Sequence, residues 1–529
     1  GMLVAEEKYS HSYPYCWRSK TPIIFRAVEQ FFIRIDDLRG MALEAIKRVT
    51  WLPPWGEARI TGTVESRPDW VISRQRSWGV PLPAFYSAEG VAILEPNWIR
   101  KLADLVEVRG SNVWFELDDA ALARELSLPE GTRHRGDTID VWIDSGVSHQ
   151  AVLARHPALR EPADMYLEAT DQHRGWFQSS LMTSVALNDR APYKTCVTHG
   201  FVVDVDGKKI SKSSSYSKPM DAGHFVGKHG ADIVRLWVSS VNYTDDVPFS
   251  EEMFTRLGDT YRRIRNTLRI LLGNLGSAAA GNETPRKEDF TTVDRWIMHR
   301  LQQVISECRA AYAAYEFHKV YHTLNQFCAV DLSSLYVDIT KDRMYCDAVD
   351  SPRRRATQAA MRAIFAALTK LLAPILAFTA EEAWGYLGNS ASVHLQTFPE
   401  VDAHWHDDEV ERTVDEWLKL RGVIGQAVEQ ARQEKLIGNA LEATVVLGCD
   451  GSRITEAVKG ELEEFFILSD LSLKQAAQPV AEITRTPHAK CSRCWRHRPS
   501  VGASVAHPEL CDRCEAVVSA VNLKSDVER

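Results

Sequence analysis

The 529-residue chain has no uninterrupted apolar run of about 18 or more residues, so we expect no transmembrane helix. It also lacks a basic start followed by an apolar stretch, and we therefore expect no secretory signal. No internal repeat or low-complexity block occurs. The formal net charge of −8 argues against a uniformly basic nucleic-acid coat but not against a local basic face. These absences predict a multidomain globular protein of the reducing cytoplasm, with no membrane partner.

Of the ten cysteines, four form a cluster near the carboxyl terminus, as the pairs Cys491-x-x-Cys494 and Cys511-x-x-Cys514 with sixteen residues between them. Two residues between cysteines let both sulfurs of a tight turn face one tetrahedral ion, so this spacing predicts one structural Zn²⁺ bound by four thiolates. Two disulfides or four free thiols are the alternatives, and a reducing compartment disfavours disulfides. The remaining six are predicted to be small buried thiols: Cys16, Cys196, Cys308, Cys328, Cys346 and Cys449.

Two groups of basic residues are candidate RNA contacts. The first surrounds the cysteine pairs, where cations would lower thiolate pKa values and suit an RNA backbone: Arg485, Lys490, Arg493, Arg496, Arg498 and Arg513, against Glu509 and Asp512. The second lies in a helical stretch at 255–275: Arg256, Arg262, Arg263, Arg265 and Arg269. The second group either binds RNA or forms a solvated, salt-bridged face, and the sequence leaves both possibilities open.

The periodicity of apolar residues changes along the chain. Between residues 141 and 250, strand-like runs alternate with helical ones, which predicts a parallel α/β layer. Its predicted elements are strands at 140–143, 163–167 and 196–203 and a helix at 176–186. Beyond residue 251 the pattern is helical, at 261–275, 296–312, 321–336, 357–372 and 414–430, before a small mixed α/β pattern at 443–485. The predicted fold class is therefore α/β plus all-α.

Polar residues gather where the predicted strands end. The run at 168–177 (Glu-Ala-Thr-Asp-Gln-His-Arg-Gly-Trp-Phe) lies between a strand and a helix, and an open parallel sheet binds ligands outside the carboxyl ends of its strands. The run at 209–213 (Lys-Ile-Ser-Lys-Ser) follows another strand and an Asp-Gly turn. Two lysines on such a loop are suited to gripping phosphate oxygens as negative charge moves onto them.

These runs resemble motifs of the class I aminoacyl-tRNA synthetases and, among them, the bacterial enzymes for isoleucine. The runs at 72–79 and 137–146 resemble several branched-chain members, whereas the run at 168–177 and the terminal cysteines resemble the isoleucine enzymes. The resemblance covers essentially all of residues 2–529. It implies a domain order of editing-insertion exit (1–22), connective segment and linker (23–140), second half of a Rossmann-like catalytic domain (141–250), stem-contact helices and linker (251–292), helical anticodon-binding domain (293–440), small α/β junction (441–484) and zinc-binding tail (485–529).

The resemblance implies an activity and roles for particular residues. Members of the family convert isoleucine and ATP-Mg²⁺ to isoleucyl-adenylate and then transfer the isoleucyl group to tRNA(Ile), acting as monomers. By resemblance, Lys209 and Lys212 hold the ATP phosphates. The other implied contacts are with the amino, ribose and carbonyl parts of the adenylate (Glu168, Asp171 and Gln172), with the adenosine (His199) and with the isoleucine side chain (Trp176).

The sequence also departs from the family pattern. No His-x-Gly-His motif occurs, and only the exit of the editing insertion is recognisable, so we expect a carboxy-terminal portion that is inactive alone. Ile210 replaces the usual methionine, Ala169 replaces a glycine, and the lysine loop is one residue short after Ser213. The alternatives are a fragment of a valine or leucine synthetase, a stand-alone tRNA-binding or regulatory protein without catalysis, and a zinc-ribbon scaffold.

Overall fold

A computed structural model of the chain describes residues 2, 4–16, 19–204, 206–210, 221–275, 286–450 and 454–527, with side chains up to residue 520. The chain divides into two compact units, Gly1–Phe201 and Val202–Arg529. No helix in the described ranges combines the length and apolarity needed to cross a membrane. The architecture is α/β with a parallel sheet, joined in sequence to a predominantly helical region, as the sequence predicts.

The strands of the first unit outside its central sheet are two residues long each. In chain order the elements of this unit are β1 (Phe32–Ile33), α1 (Asp36–Ile46), β2 (Thr50–Leu52), α2 (Trp55–Glu65), β3 (Trp70–Val71), β4 (Ser73–Arg74), β5 (Phe85–Tyr86), β6 (Ala92–Ile93), α3 (Pro96–Arg109), α4 (Val113–Glu116), α5 (Asp119–Glu125), β7 (Arg133–His134), β8 (Thr138–Ile139), α6 (Val141–Gly146), a π-helical turn (His149–Leu153), β9 (Ala163–Ala169), a 3₁₀ turn (Thr170–Arg174), α7 (Trp176–Asn188) and β10 (Tyr193–His199).

The central sheet of this unit has the order β2-β10-β9, with all strands parallel. Val197 pairs with Leu52 and His199 pairs with Ala169, so the three carboxyl ends meet at one edge. Aromatic side chains pack the sheet against α1, α2 and α7, and include the buried Trp51 and Phe177. This packing fixes the strand-end loops, because large rings buried on a sheet face leave its strands little freedom to shift.

One predicted strand is absent, another has different bounds, and the sheet contains one strand that was not predicted. The strand predicted at 140–143 is wrong: the Asp140 carboxylate accepts the Trp142 N–H and caps α6, which turns the chain into a helix. The strand predicted at 196–203 begins at Tyr193 and stops at His199. Finally, the sheet takes a strand from residues 50–52, within the segment interpreted as connective.

The second unit begins with a short strand and becomes helical. Its elements are β11 (Val202–Val203), α8 (Ala222–His229), α9 (Ala231–Ser240), β12 (Val247–Pro248), α10 (Glu251–Leu275), α11 (Thr292–Ala313), α12 (Phe317–Gln326), a π-helical stretch (Phe327–Tyr336), α13 (Val337–Cys346), α14 (Pro352–Leu372), α15 (Ala377–Gly385), α16 (Asp408–Gln433), β13 (Ala443–Cys449), α17 (Lys459–Phe465), β14 (Asp470–Gln475), β15 (Val480–Arg485) and α18 (Asp512–Val527). In its small sheet, β13 lies between β14, which is parallel to it, and the antiparallel β15.

A buried arginine joins three helices of this unit. Arg343 of α13 is 1% exposed and lies 2.7 Å from Asp294 of α11 and 2.7 Å from Glu464 of α17. Thr291 and Thr357 accept further hydrogen bonds from its guanidinium. Because each charge is buried, removing one partner would leave the others uncompensated, so this network holds the helical region and the small α/β region together.

Candidate active site and zinc centre

The carboxyl edge of the parallel sheet brings together four of the predicted site residues. Glu168 lies near the end of β9, and Asp171 and Gln172 follow on the 3₁₀ turn that leads to α7. His199 ends the neighbouring strand, opposite Ala169. Glu168 and Asp171 are exposed, and neither has a salt-bridge partner in the described part of the chain. Their carboxylates are therefore available to a ligand at this edge.

The amide of Gln172 has a defined orientation. Its Oε1 accepts the backbone N–H of Trp176 at 2.9 Å, so its NH₂ group remains the part that can donate to a ligand. Gly175 makes this possible, since a Cβ there would lie 2.4 Å from Gln172 Oε1 and 2.8 Å from Trp142 Cη2. Only glycine fits. The sequence interpretation did not assign this glycine a role, although its place between a strand end and a helix was a usable signal.

Three elements hold the Trp176 indole in place. The ring stacks on Tyr166 of β9, with centroids 4.0 Å apart and planes 8° from parallel. Its Nε1–H donates to the carbonyl oxygen of Ser145 at 2.9 Å. The residue is half-buried at the start of α7. A fixed, partly exposed indole can form a rigid apolar wall.

Asp140 links two of the sequence motifs. Its carboxylate accepts from Trp70 Nε1 at 2.9 Å and from Arg74 at 2.8 Å, although these residues lie 70 and 66 positions earlier. Asp140 is 4% exposed. The 72–79 and 137–146 motifs therefore meet inside the first unit. Asp140 holds the start of α6 in place next to the site. Burial, and then the charge of Asp140, raises the pKa of the nearby Asp144.

Two histidines flank the edge with different surroundings. His173 is buried against Trp51, Trp55 and Phe177, and burial lowers its pKa. Its Nδ1–H donates to the Thr170 carbonyl, which ties down the 3₁₀ turn from inside. His199 is half-buried, and its Nδ1–H donates to the Gly200 carbonyl. In the neutral tautomer this leaves the His199 Nε2 lone pair to accept a hydrogen bond.

The lysine loop begins in the second unit. Val203 forms an antiparallel bridge with Lys209, and the Ile210 N–H donates to the Val202 carbonyl at 3.1 Å. Ile210 packs against a cluster of aromatic rings (Phe225, Phe249 and Phe254). Isoleucine in place of the usual methionine therefore keeps an apolar side chain at this position. Lys209 is exposed, whereas Ser211, Lys212 and Ser213 lie outside the described residues. The juxtaposition of these lysines with Glu168 and Trp176 therefore stays a prediction.

The four tail cysteines have the geometry of a tetrahedral zinc site. Their sulfurs all lie within 4.8 Å of one another, and the Cys494 and Cys511 Sγ atoms are 3.8 Å apart. A tetrahedron with Zn–S bonds of about 2.3 Å has edges of about 3.8 Å. The Cys511 N–H also donates to Cys491 Sγ at 3.3 Å, a hydrogen bond suited to a thiolate. These cysteines therefore fit one structural zinc ion, with no open position for chemistry.

The basic residues around the cysteines do not lower every thiol pKa. A hydrogen bond with Cys514, and then burial, raises the pKa of Cys494 to about 12. Most of these arginines instead pair inside the protein. Arg496 and Arg498 approach Glu463, and Arg513 bonds Asp342 at 2.7 Å. Arg485 and Lys490 form none of these pairs, and the RNA-binding role of the group stays a prediction.

The arginines of α10 lie on two flanks of the helix. Arg262 pairs with Asp259 and Arg263 bonds Thr260, so part of the group is engaged within the helix. The other three are exposed and have no hydrogen-bond or salt-bridge partner among the described residues: Arg256, Arg265 and Arg269. At about 100° per residue, Arg265 and Arg269 share one flank while Arg256 lies on the other. The structure thus leaves three arginines for an external anion.

A second cluster of possible metal ligands is unsuited to a cation. His299, His406 and Asp408 have ligand atoms within 4.8 Å of one another. However, His299 Nδ1 accepts the backbone N–H of Asp407 at 2.9 Å. A neutral imidazole has only one lone-pair nitrogen, so Nε2 carries the proton. This tautomer leaves too few ligands for a metal centre.

Three family models match successive parts of the chain. Residues 5–250 match the class I tRNA synthetases (I, L, M and V), residues 294–447 match the anticodon-binding domain of tRNA ligases, and residues 490–517 match the zinc finger found in FPG and IleRS. These matches coincide with the strand-end site, the helical region and the four-cysteine cluster. The chain belongs to the class I tRNA synthetase family.

Within that family, the chain is similar to isoleucine–tRNA ligases over nearly its whole length. The enzyme of Methylacidiphilum infernorum is 46% identical over 98% of this chain and 57% of its own length. That of Geobacter sulfurreducens is 44% identical over 98% of this chain and 58% of its own length. The chain thus spans little more than half of these relatives. Among solved structures, a ternary LeuRS–tRNA–LeuAMS complex from Agrobacterium radiobacter has a TM-score of 0.47 and 19% identity, covering 72% of this chain and 44% of that one.

Proposed function

We propose that the chain forms the carboxy-terminal portion of an isoleucyl-tRNA synthetase, which activates isoleucine with ATP-Mg²⁺ and transfers the isoleucyl group to tRNA(Ile). The observation that carries the proposal is the strand-end edge, where exposed carboxylates and a fixed indole stand together within a sequence similar to isoleucine–tRNA ligases over 98% of its length. We place the enzyme in the cytoplasm and expect a monomer.

Each residue at the edge has a chemical role in this proposal. The Glu168 carboxylate binds the ammonium group of isoleucine, Asp171 accepts from ribose hydroxyls, and the Gln172 NH₂ donates to the adenylate carbonyl. Trp176 supplies an apolar wall for the isoleucine side chain, since its ring is fixed on Tyr166. His199 borders the adenosine, where its Nε2 can accept a hydrogen bond.

The lysine loop supplies the countercharge. The attacking carboxylate and the α-phosphate are both anionic, so the reaction depends on positioning and on neutralising charge that moves onto pyrophosphate. Lys209 and Lys212 provide two cations for the ATP phosphates. Mg²⁺, when bound with ATP, adds further neutralisation of the phosphate charge. Asp204 and Gly207 shape the loop base, because the Asp204 carboxylate accepts from the Lys208 N–H at 2.8 Å and Gly207 has a φ of +76°.

The test is isoleucine-dependent ATP–pyrophosphate exchange. The sequence contains no His-x-Gly-His motif, so we expect no exchange by the chain alone. We expect exchange when a separately produced amino-terminal part of the Methylacidiphilum infernorum relative is added. Valine and leucine serve as competing substrates, and robust exchange by the chain alone, or with leucine in preference, contradicts the proposal.

A matched pair of substitutions on β9 makes the test specific. In the complemented enzyme Glu168→Gln should reduce exchange about 10²- to 10³-fold, as expected for the loss of one preorganised electrostatic contact. The control is Asp164→Asn at the opposite end of the same strand, where the carboxylate pairs with Arg160 and Lys194 on the surface. Asp164→Asn should leave exchange unchanged. Equal losses in both variants would show that the strand, and not Glu168, is responsible.

The second candidate function is stand-alone binding of tRNA, which the unpartnered arginines of α10 favour. Replacing Arg256, Arg265 and Arg269 by alanine should weaken binding of a tRNA(Ile) transcript and lower the salt dependence of binding, because each phosphate contact releases counterions. Arg412→Ala and Arg432→Ala, which remove surface arginines paired within α16, are the control. If the control weakens binding equally, the effect reflects net charge alone.

A further inference from the structure

The carboxyl edge of the central sheet carries an aromatic residue without an assigned role. Trp55 begins α2, directly after β2 and two prolines. Because the three strands are parallel and paired in register, residues that follow β2 lie at the same edge as those that follow β9. Trp55 is 40% exposed, although tryptophan usually buries most of its surface. An accessible indole therefore lies at the edge where we place the adenylate.

Contacts with the 3₁₀ turn fix the position of this indole. The Trp55 ring centroid lies 5.8 Å from that of the buried His173 on the turn. The Thr63 hydroxyl, about two turns further along α2, lies 3.2 Å from the His173 carbonyl oxygen. A Cβ on Gly56 would meet the Trp51 ring at 3.3 Å, so the start of α2 packs closely on β2. The indole is therefore held beside the turn that carries the proposed ribose and carbonyl contacts.

A cation without a partner accompanies the indole. Arg59 lies one turn further along α2, and its Cζ is 5.9 Å from the centroid of the Trp55 ring. Arg59 is exposed, and none of the residues that the structure describes forms a hydrogen bond or salt bridge with its side chain. Glu57, the carboxylate between the two in sequence, lies on another face of the helix. The Arg59 guanidinium can therefore bind an external anion next to the ring.

We propose that Trp55 and Arg59 form a subsite for the unpaired terminal nucleotide of the acceptor RNA: the base stacks on the indole, and the guanidinium binds the adjoining phosphate. Aromatic side chains bind unpaired bases by stacking, and arginine adds charge and a planar contact. The subsite rests on the transfer reaction proposed above, which requires the accepting nucleotide to reach the edge where the adenylate forms. Free ATP offers the same base and phosphate chemistry, so the test separates the two sources.

The experiment uses the full chain and a tRNA(Ile) transcript whose 3′-terminal base is replaced by 2-aminopurine. Stacking of this fluorescent base on an indole quenches its emission, so we expect quenching when the unsubstituted chain is added. Trp55→Ala should remove the quenching and weaken binding about 5- to 100-fold, the usual effect of losing one stacked base. Trp55→Phe keeps an aromatic face and should retain most of the binding. The proposal is overturned if the unsubstituted chain gives no quenching, or if Trp55→Ala quenches as strongly.

Substitution of the cation provides a second variant at an exposed position. Arg59→Ala should weaken binding several-fold and lower its salt dependence by about one counterion. Arg160→Ala is the charge-matched control, since Arg160 pairs with Asp164 near the opposite end of β9. Phe115→Ala removes an equally exposed ring outside the central sheet and should leave quenching unchanged. Equal weakening by Arg59→Ala and Arg160→Ala would reduce the effect to net charge and overturn the subsite.

Competition with ATP identifies the source of the nucleotide. Excess ATP should leave the quenching in place, because we assign this subsite to the RNA. Loss of quenching while the transcript stays bound would assign the subsite to a free nucleotide and overturn the proposal. Isoleucine-dependent exchange involves no RNA, so its absence in the complemented enzyme would contradict the proposed function and leave the quenching result standing.

Discussion

The carboxyl edge of the parallel sheet and the cysteine-bearing tail both bring polar side chains together. They differ in whether those side chains have bonding partners inside the protein. At the sheet edge, Glu168 and Asp171 are exposed and lack ion-pair partners in the described part of the chain. In the tail, Arg493 and Arg513 bond carbonyls and carboxylates of α13. Carboxylates without an ion-pair partner on a rigid edge are available to a ligand, whereas side chains bonded inside the protein hold structure. This contrast is why we assign chemistry to the first region and architecture to the second.

Removing zinc should give the largest effect. Structural zinc contributes about 10–16 kcal/mol of apparent binding free energy in small zinc domains, so its loss should unfold the tail. We expect a strong chelator, or Cys511→Ser, to make residues 485–529 susceptible to limited proteolysis while the helical core stays resistant. Cys16→Ser, in the first unit, is the control. A tail that remains resistant without zinc would show that its arginine contacts suffice.

The buried arginine network should give the next effect. Arg343→Met leaves Asp294 and Glu464 buried without a cation and should destabilise the second unit by about 3–5 kcal/mol. Urea unfolding followed by circular dichroism measures the change. Arg412→Met, which removes an exposed pair with Glu409, should cost at most about 1 kcal/mol. Similar costs for both variants would contradict the structural role of the network.

Gly175→Ala tests the close approach at the sheet edge. The added Cβ would overlap Gln172 Oε1 and Trp142, so we expect a cost of about 1–3 kcal/mol and local displacement of the 3₁₀ turn. Hydrogen exchange of the β9 and α7 amides should report it. Gly62→Ala in α2, where the Cβ meets nothing within 4 Å, should be neutral or slightly stabilising. Unchanged amide hydrogen exchange in the Gly175→Ala variant would show that the 3₁₀ turn accommodates the added methyl group without a cost in stability.

The smallest effect should be the pH dependence contributed by His173. Burial lowers its pKa from 6.5, so the unfolded state binds the proton more readily than the folded state. Stability is therefore complete above about pH 6.5 and falls as the pH drops toward the lower folded-state pKa. His173→Gln should flatten this part of the profile, measured as the urea midpoint of the first unit. Gly62→Ala in α2, which changes no titratable group, should leave the profile unchanged.

Much of the local structure follows from sequence patterns. The five helical runs that apolar periodicity predicts in the second unit are helical, although the run at 321–336 is an α-helix continued by a π-helical stretch and α13 and α15 fall outside those runs. The Cys-x-x-Cys spacing predicts the zinc geometry, because each pair of zinc ligands lies within one tight turn. The strand-end position of the 168–177 run likewise follows from alternation of strands and helices. In each case the determining interactions are close along the chain.

Other features required the tertiary structure. The pairing of residues 50–52 with β10, the convergence of Trp70 and Arg74 on Asp140, and the hydrogen bond from Arg493 to the Cys346 carbonyl each join distant segments. Periodicity reports which face of an element is apolar and not which partner will cover it. The sequence by itself therefore determined most of the elements, the four metal ligands and the family, while only the folded chain decided which polar groups are paired inside and which remain for a ligand.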